Sequence, residues 1–153
     1  MRTEIAKYLK AYRGISCQPE QIIVGAGSEY LINLIIQLLG ENKKYAVENP
    51  GYHKIAKILS AYNTDTEYLP LDEQGVSMEH LIYSDVNVLH VSPSHQFPTG
   101  IITPIKRRYE ILKWASEKNG YIVEDDYDSE FRYSGKPIPA LQSLDTAGRV
   151  IYM

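Results

Sequence analysis

The chain opens with two amphipathic patterns. Residues 2–13 place apolar side chains at every third or fourth position, which predicts a helix that ends at Gly14. A second pattern of the same period begins at Ser28 and ends at Gly40. Each helix carries one apolar stripe and therefore needs a second layer of structure to cover it.

A later helix is predicted to begin with a Thr103 cap, to have Pro104 at its first position and to end at Gly120. Its predicted inner face consists of Ile105, Tyr109, Leu112 and Ala115 or Ser116. The basic cluster Lys106-Arg107-Arg108 is expected on its solvated face, where charge runs usually lie. Two shorter helices are predicted over residues 52–61 and 78–83.

Short apolar runs between the helices predict strands. These runs cover residues 21–24, 44–48, 66–69, 86–91 and 121–124, and a last one starts near residue 149. Strands that alternate with helices indicate a mostly parallel sheet covered on both faces. We therefore expect an α/β fold of three layers, αβα, in a single domain.

Composition narrows the function classes. The 153 residues carry a net charge of −3, which argues against a nucleic-acid module because such modules present a basic face to phosphates. The single cysteine, Cys17, excludes an internal disulfide, favours a reducing cytoplasmic location and is expected to be a partly buried apolar residue. No apolar run approaches the ~20 residues of a membrane span.

Polar or special residues follow several of the predicted strands. They occupy residues 25–28, Tyr52, residues 92–100 and residues 125–127. Right-handed crossovers bring the carboxyl ends of parallel strands to one edge, where ligands of open α/β sheets bind. This edge is the predicted site.

The glycine turn Gly25-Ala26-Gly27 precedes the helix that starts at Ser28. Unpaired backbone N–H groups and the positive end of the helix dipole meet at a helix N-terminus, and glycine lets the backbone approach a ligand closely. Such a turn favours the binding of an anion such as a phosphate. A plain tight turn with Ser28 as the helix cap explains the same residues equally well. A nucleotide-binding domain is disfavoured, because the full glycine fingerprint and the ribose-binding acid are missing.

An acidic stretch follows the strand over 121–124. The twofold period of a strand places Asp125 and Tyr127 on one face, so both can reach one ligand. Asp126, Asp128 and Glu130 are expected to be loop and surface acids. Two alternatives remain for the stretch: a solvated acidic loop, and a metal site of Asp125, Asp126 and Asp128, for which no histidine is suitably spaced.

A phosphate site, an aromatic ring at Tyr52 and a carboxylate at Asp125 together suit pyridoxal 5′-phosphate (PLP). Its ring nitrogen needs an anion to stay protonated. At ~4 Å and an effective dielectric of ~20, such a contact contributes on the order of 4 kcal/mol before desolvation.

Four characteristic segments occur in order along the chain. They are Glu48-Asn-Pro-Gly-Tyr52, Ser92-Pro-Ser-His-Gln-Phe-Pro-Thr-Gly100, Glu124-Asp-Asp-Tyr-Asp-Ser-Glu-Phe-Arg-Tyr133 and, downstream, Pro139-Ala-Leu-Gln142. With these segments the chain resembles the aminotransferase-like domain of MocR-type regulators of the GntR superfamily. The resemblance implies part of the large domain of a fold-type I PLP-dependent aminotransferase. It also implies an N-terminal winged-helix DNA-binding domain and a C-terminal small domain outside residues 1–153.

The resemblance also assigns roles to residues. Gly27, Ser28 and Glu29 hold the phosphate, Tyr52 stacks on the ring, Asp125 pairs with the ring nitrogen and Tyr127 bonds the phenolic oxygen. Ordinary family members have asparagine at the position of Phe97, and that asparagine donates a hydrogen bond to the phenolic oxygen. In this chain Tyr127 is expected to supply that hydrogen bond instead.

The catalytic lysine is expected elsewhere. In the family the Schiff-base lysine follows the strand that here reaches Met153, and Lys106 and Lys136 are expected to be surface residues. His95 is expected to make a structural hydrogen bond in its loop. Together these points suggest a catalytically inactive fragment of a longer protein, an expectation that the uncapped first helix and the last strand also favour.

The expected partners are an amino-acid or PLP-related effector, DNA only through the absent domain, and a second copy in a full-length homodimer. The fragment is expected to self-associate through uncovered apolar faces. The alternative is a fragment of a genuine class I/II aminotransferase, which transfers amino groups between amino acids and 2-oxo acids.

Overall fold

A computed structural model describes residues 1–129 and 138–153. The helices are α1 (Arg2–Arg13), α2 (Ser28–Leu39), α3 (His53–Ala61), α4 (Met78–Tyr83), α5 (Ile105–Lys118) and α6 (Leu141–Leu144). The strands are β1 (Lys44–Asn49), β2 (Asp65–Asp72), β3 (Gly75–Val76), β4 (Val88–Val91), β5 (Tyr121–Glu124) and β6 (Val150–Tyr152). Within these residues, no helix is long and apolar enough to cross a membrane.

The strands form one sheet in the order β3-β2-β1-β4-β5-β6. All neighbours are parallel except β2 and β3, which pair antiparallel. From β1 the chain moves to β2 on one side, whereas from β4 it moves to β5 on the other. The order therefore reverses between β1 and β4, and ligands of open α/β sheets bind in the crevice at such a point.

The two faces of the sheet are covered by different helices. On one face, Val47, Val88 and Val123 pack with the buried side chains of α2 and α3. On the other face, Leu89 and Ile122 pack with side chains of α4, α5 and α6. The expected three-layer αβα fold with a mostly parallel sheet is confirmed.

The strand predicted over residues 21–24 is wrong. A short 3-10 helix at Pro19–Gln21 is followed by extended chain, in which Ile23 and Val24 are 65% and 53% exposed. A strand needs a neighbour to pair with, and no strand of the described chain lies beside this segment. Apolar composition alone predicted it, and composition does not reveal pairing.

Helix α5 is rotated relative to its prediction. Pro104 is the residue before the first turn, and Ile105 and Tyr109, predicted to face inward, are 41% and 55% exposed. The buried face of α5 instead consists of Arg107, Arg108, Ile111, Trp114 and Ala115.

The basic cluster on α5 is therefore mostly buried, contrary to its prediction. Arg108 donates to the backbone oxygens of Thr103, Pro139 and Pro93 at 3.0, 2.9 and 2.7 Å. Arg107 pairs with Asp72. Only Lys106, 85% exposed, lies on the surface as expected. Glu130 and Lys136, both expected at the surface, lie outside the described residues.

Candidate functional site

Asp125 lies at the carboxyl end of β5, next to the point where the strand order reverses. Its backbone N–H donates to the Val91 oxygen at 2.9 Å, which continues the ladder with β4 by one residue. Its Oδ2 atom lies 3.5 Å from Nε2 of His90, and the two side chains are 16% and 9% exposed. The carboxylate is thus largely shielded from water. A charge in such surroundings acts more strongly on a ligand than a charge in water does.

Tyr127 presents a buried polar atom beside this carboxylate. Its hydroxyl has no hydrogen-bond partner among the described residues. Burial, with the nearby charges of Asp128, Asp125 and Glu48, raises the pKa of the phenol, so the group stays a neutral donor. A buried unsatisfied hydroxyl is costly and gains a partner when a ligand acceptor arrives.

His95 meets Tyr127 edge-on, with ring centroids 5.8 Å apart. The side chain of His95 is exposed, and the hydrogen bond expected for it in its loop does not occur within the described part of the chain. A ring contact with Tyr127 replaces the predicted structural bond.

Glu48 is a second buried carboxyl at this edge, at the carboxyl end of β1. Its Oε2 accepts the Ser92 backbone N–H at 3.1 Å. Burial raises the pKa of Glu48 to about 7. The electrostatic interaction with His90 and the hydrogen bond from Ser92 act in the opposite direction and are smaller. Glu48, His90 and Asp125 thus form a group of interacting titratable side chains across three neighbouring strands.

Gln96, 1% exposed, connects the two loops that flank the crevice. Its Nε2 donates to the oxygens of Pro50 at 2.9 Å and Phe97 at 2.6 Å. Its Oε1 accepts from the backbone and hydroxyl of Thr99. The loop after β1 and the loop after β4 are therefore held together.

Tyr52 and Phe97 meet above this connection, edge to face, with centroids 5.8 Å apart. Tyr52 is 39% exposed, and it borders an open cavity of about 390 Å³ that Glu48 also lines. A ring exposed on one face and supported on its edge is suited to stacking on a flat ligand.

The glycine turn leads directly into α2. Gly27 has φ 90°, a conformation that favours glycine, and Ser28 is the first helical residue rather than the cap. Tyr45, near the amino end of β1, donates to the Gly40 oxygen at the far end of α2. The N-terminus of α2, with exposed Ser28 and Glu29, consequently faces the carboxyl edge of the sheet.

The acids adjacent to Asp125 face the other side of the sheet. Glu124 accepts the backbone N–H groups of Leu141 and Gln142 at the start of α6, at 2.7 and 2.9 Å. Asp126, expected to be a surface acid, is buried and paired with Arg13, so that prediction is wrong. Asp128 is exposed, as predicted.

The structure thus brings Asp125 and Tyr127 together just after β5. Tyr52, after β1, and the N-terminus of α2 lie at the same edge of the sheet. Sequence reasoning missed His90, Glu48 and Gln96. For Glu48 a signal existed, since a carboxylate at the carboxyl end of an apolar strand resembles the position of Asp125. No periodicity identifies the partners of His90 or Gln96.

Several characterised and uncharacterised proteins resemble the chain. It is 44% identical over 153 residues to the uncharacterized HTH-type transcriptional regulator YdeL of Bacillus subtilis, covering 100% of this chain and 33% of that protein. It is 36% identical over 154 residues to the probable rhizopine catabolism regulatory protein MocR of Rhizobium meliloti, covering 100% and 31%. The chain spans about a third of the length of these relatives, and the resemblance to MocR-type regulators is confirmed.

Among solved structures, kynurenine aminotransferase of Pyrococcus horikoshii superposes with a TM-score of 0.87 at 32% identity, over 99% of this chain and 40% of that one. An archaeal alanine:glyoxylate aminotransferase superposes with a TM-score of 0.90 at 27% identity, over 99% and 40%. The fold is therefore that of the fold-type I aminotransferases. Residues 1–151 match the family model of aminotransferase class I and II, and the chain belongs to that family.

Proposed function

We propose that this chain is the PLP-binding, effector-sensing domain of a MocR-type transcriptional regulator and is not itself catalytic. One observation carries the proposal. Asp125, largely buried, and the unpartnered hydroxyl of Tyr127 converge on the edge of the sheet where its strand order reverses. An anion and a neutral donor side by side match a protonated pyridine nitrogen and a phenolic oxygen on one ring.

The remaining residues fit the other parts of PLP. The N-terminus of α2, with Gly27, Ser28 and Glu29, offers unpaired backbone N–H groups and a positive dipole end to the phosphate. Tyr52 offers a half-exposed ring face to the pyridine. When bound, the cofactor supplies electron withdrawal from a substrate carbon, and these residues bind and orient it.

The regulator assignment rests on the relatives. YdeL and MocR are named as regulators, and the chain corresponds to about a third of each. DNA binding, a homodimer, a cytoplasmic location and an amino-acid or PLP-related effector belong to this proposal for the longer protein. Phe97, which takes the place of the family's usual asparagine, agrees with the regulator branch.

A second candidate is a fragment of a genuine aminotransferase. The similarity to kynurenine aminotransferase favours it. The native reading frame distinguishes the two: a winged-helix domain upstream supports the regulator, whereas a short arm supports the enzyme. A Ser-Lys pair shortly after Met153 would supply the Schiff-base lysine in either case.

Binding of pyridoxamine 5′-phosphate (PMP) to the purified chain tests the proposal, because PMP needs no lysine. We expect saturable binding with one PMP per chain, measured by PMP fluorescence. We also expect no turnover of amino acids with PLP and no borohydride-reducible adduct at a single lysine. Absence of PMP binding would refute the cofactor site, and a single-lysine adduct with turnover would refute the non-catalytic assignment.

A further inference from the structure

A buried ion pair connects the end of α1 to the turn after β5. Nη2 of Arg13 donates to Oδ1 of Asp126 at 2.8 Å, and Nε lies 2.6 Å from Oδ2. The two side chains are 4% and 0% exposed. The partners are separated by 113 residues, so this contact exists only in the folded chain.

The pair is part of a larger network. Nη2 of Arg13 also donates to the Ser94 hydroxyl at 3.1 Å, in the loop after β4. The Tyr152 hydroxyl donates to Oδ2 of Asp126 at 2.5 Å, at the end of β6. One guanidinium therefore connects α1 with the segments that follow β4 and β5, and through Asp126 with the end of β6.

Stability alone does not explain such a pair. Burying two charges costs desolvation energy that their attraction repays only in part, and apolar replacements of buried ion pairs are often as stable. A buried pair with fixed geometry does, however, define the positions of the segments that carry it. Asp126 directly follows Asp125, and Ser94 lies three residues before Phe97.

We propose that Arg13 is a positioning residue of the cofactor site. Through Asp126 it fixes the turn that carries Asp125 and Tyr127, and through Ser94 it fixes the loop that carries Phe97. Helix α1 is therefore a part of the site, although none of its residues was assigned to it. This inference rests on the proposed function.

A consequence for regulation follows from thermodynamic linkage. If the docking of α1 favours ligand binding, the ligand favours the docking of α1 by the same factor. The occupancy of the site is thus communicated to α1, which lies at the N-terminal side of the chain. In the longer regulators, this is the side on which the proposal places the DNA-binding domain.

Two measurements on the whole chain test the inference. We expect Arg13→Met to weaken PMP binding about tenfold or more, because small displacements of positioned groups are costly in binding sites. Arg13→Lys keeps the charge but not the forked geometry, and we expect partial recovery. Without any ligand, Arg13→Met should also accelerate amide hydrogen exchange in residues 92–100 and 125–129.

Arg107→Met is the matched control. Arg107 is a buried arginine on α5 that donates to Asp72 and to the Val76 oxygen at 2.7 Å, away from the crevice. Its loss removes an arginine–aspartate pair whose acid, Asp72, is 42% exposed. We expect PMP affinity within about twofold of wild type and unchanged exchange in residues 92–100, since distant sites act independently.

The outcomes separate the two proposals. If wild type binds no PMP, the proposed function fails, and the exchange measurement on the ligand-free chain still decides the role of Arg13. Wild-type exchange in residues 92–100 and 125–129 of Arg13→Met overturns the inference. Wild-type PMP affinity in Arg13→Met also overturns it. The inference is overturned as well if Arg107→Met changes PMP affinity and amide exchange as much as Arg13→Met does.

Discussion

His90 and Asp125 face each other across neighbouring strands, with Nε2 of the imidazole 3.5 Å from Oδ2 of the carboxylate. Nε2 has no hydrogen-bond partner within the described residues. The histidine therefore contacts one oxygen of the carboxylate from the neighbouring strand without a hydrogen bond. The backbone of Asp125 continues the sheet, since its N–H donates to the Val91 oxygen at 2.9 Å.

Replacing Asp125 by Asn tests this anion. The amide keeps the shape but removes the charge that pairs with a protonated ring nitrogen. We expect PMP affinity to fall about tenfold or more, because a largely buried charge pair contributes well over 1 kcal/mol. Fluorescence titration measures the change. Asp128→Asn, an exposed acid of the same turn, should bind as wild type does; equal losses in both variants would contradict the assignment.

The raised pKa of Glu48 should make the stability of the folded chain depend on pH. Its pKa is raised from 4.5 to about 7 in the folded chain, so the folded state retains a proton that the unfolded state has lost. The free energy of unfolding should therefore fall as pH rises from about 4.5 to about 7 and level off above that. The shift corresponds to ~3 kcal/mol.

Glu48→Gln removes this titration while keeping an acceptor for the Ser92 N–H. Urea unfolding at several pH values between about 4.5 and about 8 should give a shallower slope than in wild type. A residual slope is expected from Glu124, whose pKa burial also raises to about 7. An unchanged slope in Glu48→Gln would show that Glu48 ionises normally.

Gly27→Ala tests the turn before α2. Gly27 has φ 90°, and a Cβ there meets nothing within 4 Å, so the cost is conformational rather than steric. We expect a loss of ~1–2 kcal/mol of stability together with weaker PMP binding. Gly148→Ala is the control, with φ 67° and equally open space. It should lose similar stability but no affinity; loss of affinity in both would exclude a specific phosphate role.

The sequence predicted the elements whose signals are local. Helix α2 has its apolar stripe within its own residues and a glycine directly before and after it, and Asp125 and Tyr127 follow directly after an apolar strand. The features that the sequence did not predict depend on contacts with segments far away along the chain. The run at 21–24 has strand composition but no neighbouring strand, and the burial of Asp126 depends on Arg13, 113 residues away.

Arg108 illustrates the same limit within one helix. Three consecutive basic residues look alike in sequence, yet Arg108 is fully buried and Lys106 is 85% exposed. The difference arises from the backbone oxygens of Pro93, Thr103 and Pro139, which converge on one guanidinium. Carbonyl acceptors exist at every residue, so sequence does not distinguish the positions at which several of them meet.

Arg108→Met should therefore be among the most destabilising changes on α5. It leaves the three carbonyl oxygens without this donor and removes the cation 3.8 Å from the buried Glu124. We expect a loss of about 3–5 kcal/mol, the cost of breaking a buried charge network on one side. Lys106→Met, two residues away and exposed, should change stability by less than about 0.5 kcal/mol. Urea unfolding of both variants measures the contrast, and equal small effects would mean that Arg108 is dispensable for the fold.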